Sequence, residues 1–155
     1  MKNKLIKYTK ELIFLIITIT IFANGVSLYR SIDLNKIPLP TSLNMQNNKP
    51  IMIHFWATWC PICKTELDNI QRLSKSYQVI TIAVKSGTDT EIQNYINNRN
   101  FDFKFINDKD ALLAQKFGVN IYPTTIIYNK NKEPIFSDVG YTSSLGLYLR
   151  MWWAS

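Results

Sequence analysis

The two cysteines of the chain lie close together in the stretch W-A-T-W-C-P-I-C-K, at residues 56–64. The apolar run I-M-I-H-F-W that leads into this stretch is typical of a buried strand. From Pro61 to Tyr77, apolar residues recur at spacings of three and four, which predicts one buried face of a helix. Proline suits the first turn of such a helix. The cysteine pair therefore lies where a buried strand passes directly into a helix, and this junction restricts the folds open to the chain.

The junction gives the two sulfur atoms different roles. Cys60 lies at the start of the helix, where unpaired backbone N–H groups and the helix dipole favour a thiolate. A thiol pKa near 8.5 can fall to between about 3.5 and 7.5 in such a position. Cys63 lies one turn further along, close enough to form a disulfide and shielded from solvent. We predict that Cys60 is the nucleophile, that Cys63 resolves the mixed disulfide, and that the redox-active Cys60–Cys63 disulfide acts without a further cofactor.

Other uses of the two cysteines remain open at this stage. A structural staple is disfavoured, because closing a loop of about four residues removes little entropy from the unfolded chain. Zinc prefers four ligands, whereas the chain offers two thiols and a single histidine, His54. Linear coordination of the soft ion Cu(I) by two thiolates is the alternative, which would make the protein a periplasmic copper-binding module. Met45 and Met52 are the only thioethers nearby, and we expect Met52 to pack within the strand.

The N-terminal part of the chain predicts a membrane anchor. Residues 12–28 carry no charge and, with Tyr29, are barely long enough to cross a bilayer of about 30 Å. Four lysines precede them, which by the positive-inside rule keeps the N-terminus in the cytoplasm. Ala23 and Gly25 offer a rival interpretation as a cleaved signal peptide, but no strong small-residue pattern follows the apolar core. We therefore predict a single-pass protein of the cytoplasmic (inner) membrane whose domain faces the periplasm, where a cysteine pair can cycle through a disulfide.

Charge and composition divide the chain into an anchor at residues 1–30, a spacer at 31–49 and a domain at 50–155. The spacer contains two prolines and an asparagine-rich stretch, which is typical of a tether outside the core. The formal net charge is +7, of which residues 1–48 supply +4 and residues 49–155 only +3. The domain has no cluster of basic residues interleaved with aromatic ones, so nucleic-acid binding is not expected.

Beyond the cysteine pair, the sequence predicts strands alternating with helices. A capping box opens the helix at 88–98, and Asp108 and Gly118 are predicted to cap the two ends of another helix. Leu145, Leu149 and Trp152 share one side of the last helix. The predicted elements are strands at 51–56, 79–84, 124–128 and 134–139, an extended piece at 103–106, and helices at 61–77, 88–98, 108–117 and 143–153. This order indicates an α/β fold with a mixed central sheet and helices on both faces.

The motifs resemble those of a known family. The stretch F-W-A-T-W-C-P-I-C-K, followed by Glu66, resembles the membrane-anchored, TlpA-like branch of the thioredoxin superfamily. Further motifs resemble those of the subgroup called suppressor for copper sensitivity protein D. They follow in order between His54 and Ala154: H-F-W-A-T-W-C-P-I-C, K-S-G, F-D-F-K-F-I-N-D, F-G-V-N-I-Y-P-T and V-G-Y-T-S-S-L-G-L-Y-L-R-M-W-W-A. The resemblance implies a thioredoxin-like fold, thiol–disulfide exchange with exported proteins outside the cytoplasmic membrane, and a membrane electron-transfer partner.

The resemblance also assigns roles to residues near the pair. It implies that Pro123, in I-Y-P-T, is a cis-proline facing the cysteines. Tyr122 would then border the groove that takes an extended substrate peptide by strand addition. Trp59 and Pro61, which belong to the W-C-P-I-C motif, are expected to support the pair, Pro61 by stiffening the loop.

Two titratable residues near the pair are candidates for a supporting role. His54 occupies the strand position at which thioredoxins proper usually have a buried aspartate, so it could accept the proton of Cys63; a buried histidine that only packs is the other interpretation. Glu66 matches the TlpA-like pattern, but base rates favour a solvated helix carboxylate. The chain departs from many relatives at Asp68, where a helix-kinking proline is usual. Residues 41–49 also leave little room for the usual strand hairpin before the domain.

Overall fold

A computed structural model describes residues 8–19, 22, 37–40, 43 and 48–155. Residues 8–19 are helical. Within these described ranges, no helix is both long enough and apolar enough to cross a membrane. Parts of the expected anchor at 12–28 and most of the spacer at 31–49 lie outside the described residues, so the anchor stays a prediction.

The domain is built on one five-stranded sheet. Its strands, in chain order, are β1 (Ile51–Trp56), β2 (Gln78–Val84), β3 (Phe105–Asp108), β4 (Thr124–Tyr128) and β5 (Pro134–Val139). Their order in the sheet is β3-β2-β1-β4-β5. The first three strands run parallel, and β4 is antiparallel to both β1 and β5. The predicted mixed sheet is therefore confirmed, with β1 at its centre.

Helices cover both faces of this sheet, as predicted. They are α1 (Pro61–Ser74), α2 (Asp89–Asn97), α3 (Leu112–Lys116) and α4 (Ser144–Ala154). One core cluster joins Met52 and Trp56 of β1 to apolar residues of α1, α2 and α4. The other joins Ile53 and Phe55 to α3 and to Phe117, whose ring centroid lies 5.3 Å from that of Phe55. Because successive side chains of a strand point to opposite faces, all six residues of β1 are buried.

The helix ends agree only in part with the predicted caps. The capping box of α2 is complete, since Thr88 and Glu91 each accept a hydrogen bond from the other's backbone N–H. Gly118 adopts the left-handed conformation predicted for the end of α3, with φ 65°. The N-cap prediction for Asp108 was wrong, because α3 begins later, at Leu112. The Asp108 carboxylate nevertheless accepts hydrogen bonds from two N–H groups in the first turn of α3, at 3.0 and 2.8 Å.

The spacer contributes more to the core than its composition predicted. Leu43 is buried, and Ile37 and Leu39 pack against the core cluster that contains α3. The backbone carbonyl of Ile37 accepts a hydrogen bond of 3.0 Å from the hydroxyl of Tyr128. The expectation that residues 31–49 lie outside the core was therefore wrong for these positions, because the apolar side chains around the two prolines pack against the core cluster that contains α3.

The last helix carries one buried and one exposed apolar stripe. Its buried residues are Leu147, Met151 and Ala154. Leu145, Leu149 and Trp152 do share one side, but that side faces solvent, with 70%, 57% and 68% of each residue exposed. The helix carries two apolar stripes at helical spacing, and spacing alone does not say which stripe meets the sheet.

Candidate active site

The cysteine pair forms a disulfide at the N-terminus of α1, with the two Cα atoms 5.3 Å apart. Cys60 is the N-cap residue of the helix, and its Sγ accepts a hydrogen bond of 3.2 Å from the backbone N–H of Cys63. Pro61 follows at the first helical position, where its missing N–H costs no hydrogen bond. Cys63 is completely buried, whereas Cys60 retains 5% exposure. An incoming thiol or disulfide therefore reaches Cys60 before Cys63.

The loop before β4 lies against the exposed sulfur. The peptide bond between Tyr122 and Pro123 is cis, as the sequence resemblance implied. The Sγ of Cys60 lies 3.7 Å from the backbone oxygen of Tyr122. A reduced thiol in this position can donate a weak hydrogen bond to that oxygen. The structure thus brings Tyr122 and Pro123 together with the pair, although they are about 60 residues away in the chain.

A second loop fixes the residues just before the pair. The indole Nε1 of Trp59 donates a hydrogen bond of 3.0 Å to the backbone oxygen of Lys85, and the Thr58 N–H donates one of 3.0 Å to Ser86. Trp59 also meets Tyr122 edge to face, with ring centroids 5.9 Å apart. With 56% of its area exposed, Trp59 forms an apolar rim beside Cys60. Lys85 and Ser86 belong to the K-S-G motif, so the sequence carried a signal for this loop without showing its role.

His54 is completely buried in the central strand. Its Nδ1 lies 2.9 Å from the Thr125 hydroxyl, and its Nε2 has no hydrogen-bond partner among the described residues. Burial lowers the pKa of His54 to about 3. The imidazole is therefore neutral near pH 7, and protonation by a thiol is strongly unfavourable. Of the two interpretations that the sequence left open, this environment favours a buried, hydrogen-bonded histidine.

Glu66 is also completely buried, contrary to the base-rate expectation of a solvated helix carboxylate. It lies one helical turn after Cys63, and both residues face the sheet. One carboxylate oxygen accepts a hydrogen bond of 3.1 Å from the Thr142 N–H. Burial raises the pKa of Glu66 to about 8; the hydrogen bond from Thr142 opposes the rise and the nearby charge of Asp138 adds to it. This carboxyl group can gain or lose a proton close to neutral pH.

Polar residues that sequence reasoning missed surround Glu66. Asn69 donates a hydrogen bond of 3.1 Å to the backbone oxygen of Thr142, so α1 holds both backbone groups of that residue. Asp138 of β5 forms a two-pronged salt bridge with Arg150 of α4, at 2.9 and 3.0 Å. Nothing local in the sequence marks these residues, because strand pairing and helix packing bring them together across about 70 positions of the chain.

The Thr125 hydroxyl is expected to contribute measurably to stability through His54. Thr125→Val keeps the side-chain shape and leaves the buried Nδ1 without a partner. We expect the free energy of unfolding to fall by about 1–3 kcal/mol in denaturant titrations at neutral pH. Thr125→Ser keeps the hydroxyl and is the matched control. Any loss in the serine variant reports the missing methyl packing, and an unchanged free energy of unfolding in the valine variant would show that the hydrogen bond does not contribute.

The donor atoms around the pair bear on the copper alternative. Among the described residues, no group of three or more His, Cys, Asp or Glu side chains is arranged to hold a metal ion. Met52 is completely buried in β1, as the sequence predicted. Met45 lies outside the described residues.

The fold is thioredoxin-like, as the solved structures described below show, and comparison with known proteins gives the family. A model of the AhpC/TSA family matches residues 33–133. The chain therefore belongs to the AhpC/TSA family.

Curated relatives carry names that fit this family. A "Thioredoxin-like protein" of Haemophilus influenzae is 31% identical over 112 residues, which cover 72% of this chain and 66% of that protein. "Thiol-disulfide oxidoreductase ResA" of Halalkalibacterium halodurans is 28% identical over 89 residues, which cover 55% of this chain and 51% of that protein. The chain thus spans about half to two thirds of the length of these relatives.

Solved structures share the fold. A putative thioredoxin from Neisseria meningitidis superimposes with a TM-score of 0.63 at 26% identity, over 70% of this chain and 75% of that one. StoA from Bacillus subtilis superimposes with a TM-score of 0.60 at 20% identity, over 71% of this chain and 85% of that one. The second likeness concerns the fold alone.

Proposed function

We propose that the protein is a thiol–disulfide oxidoreductase that works through the Cys60–Cys63 pair. The observation that carries this proposal is the placement of the disulfide: Cys60 caps α1, and its sulfur lies 3.7 Å from the Tyr122 oxygen beside Pro123. The names of the curated relatives, which include thiol–disulfide oxidoreductases, support the same activity.

The exchange runs in two steps. The Cys60 thiolate attacks a substrate disulfide, so that a bond between Cys60 and one substrate sulfur forms while the substrate S–S bond breaks and releases a thiolate. Cys63 then loses its proton and attacks the Sγ of Cys60. The Cys60–Cys63 disulfide forms, and the second substrate sulfur leaves as a thiolate. Two electrons pass from the pair to the substrate, and the reverse sequence oxidises a substrate dithiol.

Glu66 is better suited than His54 to exchange the proton of Cys63. Proton transfer is most efficient between groups of similar pKa. An ordinary cysteine has a pKa of about 8.5, and burial raises that of Glu66 to about 8. Burial lowers that of His54 to about 3. Of the two residues, Glu66, one helical turn after Cys63, is therefore the one we propose to exchange this proton, while His54 packs within the sheet.

The surface around Cys60 suits an extended peptide. Trp59 and Ile62 offer exposed apolar area on one side of the sulfur, with 56% and 53% of each residue exposed. The backbone of Tyr122 lies beside the same sulfur and can pair with a peptide strand. Such contacts use backbone groups and unspecific apolar area, so they accept many sequences.

We also propose a finer placement, which rests on the sequence. The chain is a membrane-anchored member of the TlpA-like branch, in the subgroup of suppressor for copper sensitivity protein D. Its N-terminal apolar segment anchors it in the cytoplasmic membrane, its domain faces the periplasm, and a membrane electron donor keeps the pair reduced. Its substrates are the thiols and disulfides of exported proteins. The uncharged stretch at 12–28 and the lysines before it support this placement.

Catalysis of disulfide reduction tests the proposed activity. With the full chain present, we expect dithiothreitol to reduce insulin disulfides at least about tenfold faster than dithiothreitol alone, because a positioned low-pKa thiolate attacks faster. Cys60→Ala should remove the acceleration. A chain that gives no acceleration, but binds Cu(I) tightly at one ion per chain in an anaerobic titration, would instead be the copper-binding module.

A further inference from the structure

The solvent side of α4 carries an apolar stripe that nothing in the described residues covers. It consists of Leu145, Leu149, Trp152 and Trp153, of which 70%, 57%, 68% and 73% are exposed. The first three are spaced by four and three positions, so they lie on one side of the helix, and Trp153 follows beside them. We refer to these four residues as the α4 stripe. Two large aromatic side chains on so short a helix make a surface that is costly to leave in water.

The aromatic end of this stripe lies at the end of the domain where the chain enters it. Ser155, directly after α4, lines one groove together with Lys49 and Pro50, which precede β1, and with the residues that follow α1. Ile37, the first described residue of the spacer, bonds to Tyr128, which pairs with the first residue of β1. Residues 48–50 and the end of α4 therefore line one groove, and Ile37 lies at the same end of the sheet on its opposite face.

Chain length keeps this end close to the predicted membrane. Only residues 31–36 separate the predicted anchor at 1–30 from Ile37. Six residues span at most about 20 Å when fully extended. The domain edge that holds Ile37 must therefore lie within that distance of the bilayer surface, and the aromatic end of the α4 stripe lies at the same end.

Charge at this end suits a surface of anionic lipids. Lysines outnumber carboxylates in the groove, in the second groove that continues it and in the adjoining hairpin turn. The lysines are Lys49, Lys75, Lys104, Lys130 and Lys132, and the carboxylates are Asp102 and Glu133. Each basic side chain near an anionic leaflet is attracted to it. Tryptophan is the residue enriched where a protein meets the lipid headgroups.

We propose that the α4 stripe docks on the anionic bilayer surface and so fixes the orientation of the domain. The inference rests on the membrane anchor proposed above. Cys60 lies at the opposite end of α1, whose 14 residues span roughly 20 Å. Docking therefore points the redox site away from the lipid, toward exported proteins, and prevents the short tether from turning Cys60 onto the membrane.

Quenching of tryptophan fluorescence by brominated lipids tests this docking. The full chain is reconstituted, in a Trp59→Phe background, into vesicles of phosphatidylcholine with or without phosphatidylglycerol; Trp152 and Trp153 are then its exposed reporters. Bromine on the acyl chains should quench them, more strongly with phosphatidylglycerol. Leu145→Ser with Leu149→Ser keeps both reporters and should lower the quenched fraction at least about twofold, because membrane affinity follows buried apolar area.

Controls separate the stripe from the anchor. Leu112→Ser removes a leucine that is 67% exposed on α3, across the sheet, and should leave quenching unchanged. Flotation of the vesicles after an alkaline wash tests the anchor by itself, so a chain that washes off disproves the anchor, while quenching on anionic vesicles still decides the stripe. Absence of quenching in a chain that floats would overturn the docking. A cross-linked dimer that the double serine variant abolishes would assign the stripe to a second copy and also overturn it.

Discussion

Cys63→Ala is expected to accumulate mixed disulfides between Cys60 and exported proteins in living cells. The buried Cys63 is the only thiol of the chain that can attack the Cys60–substrate bond, so its loss stops the exchange after the first step. Adducts should rise by more than about tenfold over the wild type, because resolution by free thiols from solution is slow in comparison. Non-reducing electrophoresis followed by mass spectrometry of the trapped partners measures this.

The matched control is Cys60→Ala. It leaves the inner thiol in place, but Cys63 has no exposed surface and cannot reach a substrate disulfide. We expect no adducts above background from this variant. Trapping of equal strength by both variants would contradict the division of roles between the two sulfur atoms.

Glu66→Gln is expected to stabilise the domain at alkaline pH. Burial raises the pKa of Glu66 to about 8 in the folded chain, against an ordinary 4.5. The folded state therefore binds more protons than the unfolded state between these values, and the stability this provides is complete below about pH 4.5 and is lost as the pH rises through 8. Glutamine stays neutral. Its free energy of unfolding should match that of the wild type near pH 4 and exceed it by on the order of 3 kcal/mol at pH 8.

Denaturant titrations across this pH range measure the effect. Asp68→Asn removes an exposed carboxylate from the same helix and controls for the loss of one negative charge. An advantage of Glu66→Gln that does not grow with pH would mean that the buried carboxyl does not change its protonation on unfolding. The same variant should slow resolution by Cys63 if Glu66 exchanges its proton.

The fold could be predicted well from the sequence because its signals are local. The buried run of β1, the helical spacing of α1 and the capping box of α2 are each contained in a few consecutive residues. Consecutive residues do not show which of the two apolar stripes of α4 is buried, because burial depends on which stripe packs against the sheet. The spacer was misjudged for a related reason: its prolines indicate a tether, but whether Leu43 packs depends on sheet surface left open by other elements.

The site residues also differ in whether a local pattern identifies them. Cys60, Cys63 and Pro61 follow from one motif, and Pro123 follows from a family resemblance. Glu66 could not be placed, because a carboxylate at this spacing on an amphipathic helix is solvated in most proteins. Its burial here is supported by the backbone N–H of Thr142, 76 positions away, which donates a hydrogen bond to the Glu66 carboxylate. Contacts of such sequence separation leave no trace in a local pattern.

The salt bridge between Asp138 and Arg150 has a consequence beyond holding α4 in place. Asp138 lies on β5, an outer strand of the sheet. An outer strand offers unpaired backbone groups to the strands of other molecules. Pro134 begins this strand without an N–H to offer, and Asp138 places a charge on the inner side of it. A second copy that tried to extend the sheet would have to accommodate both. The domain is thereby protected against aggregation at the edge next to its redox site.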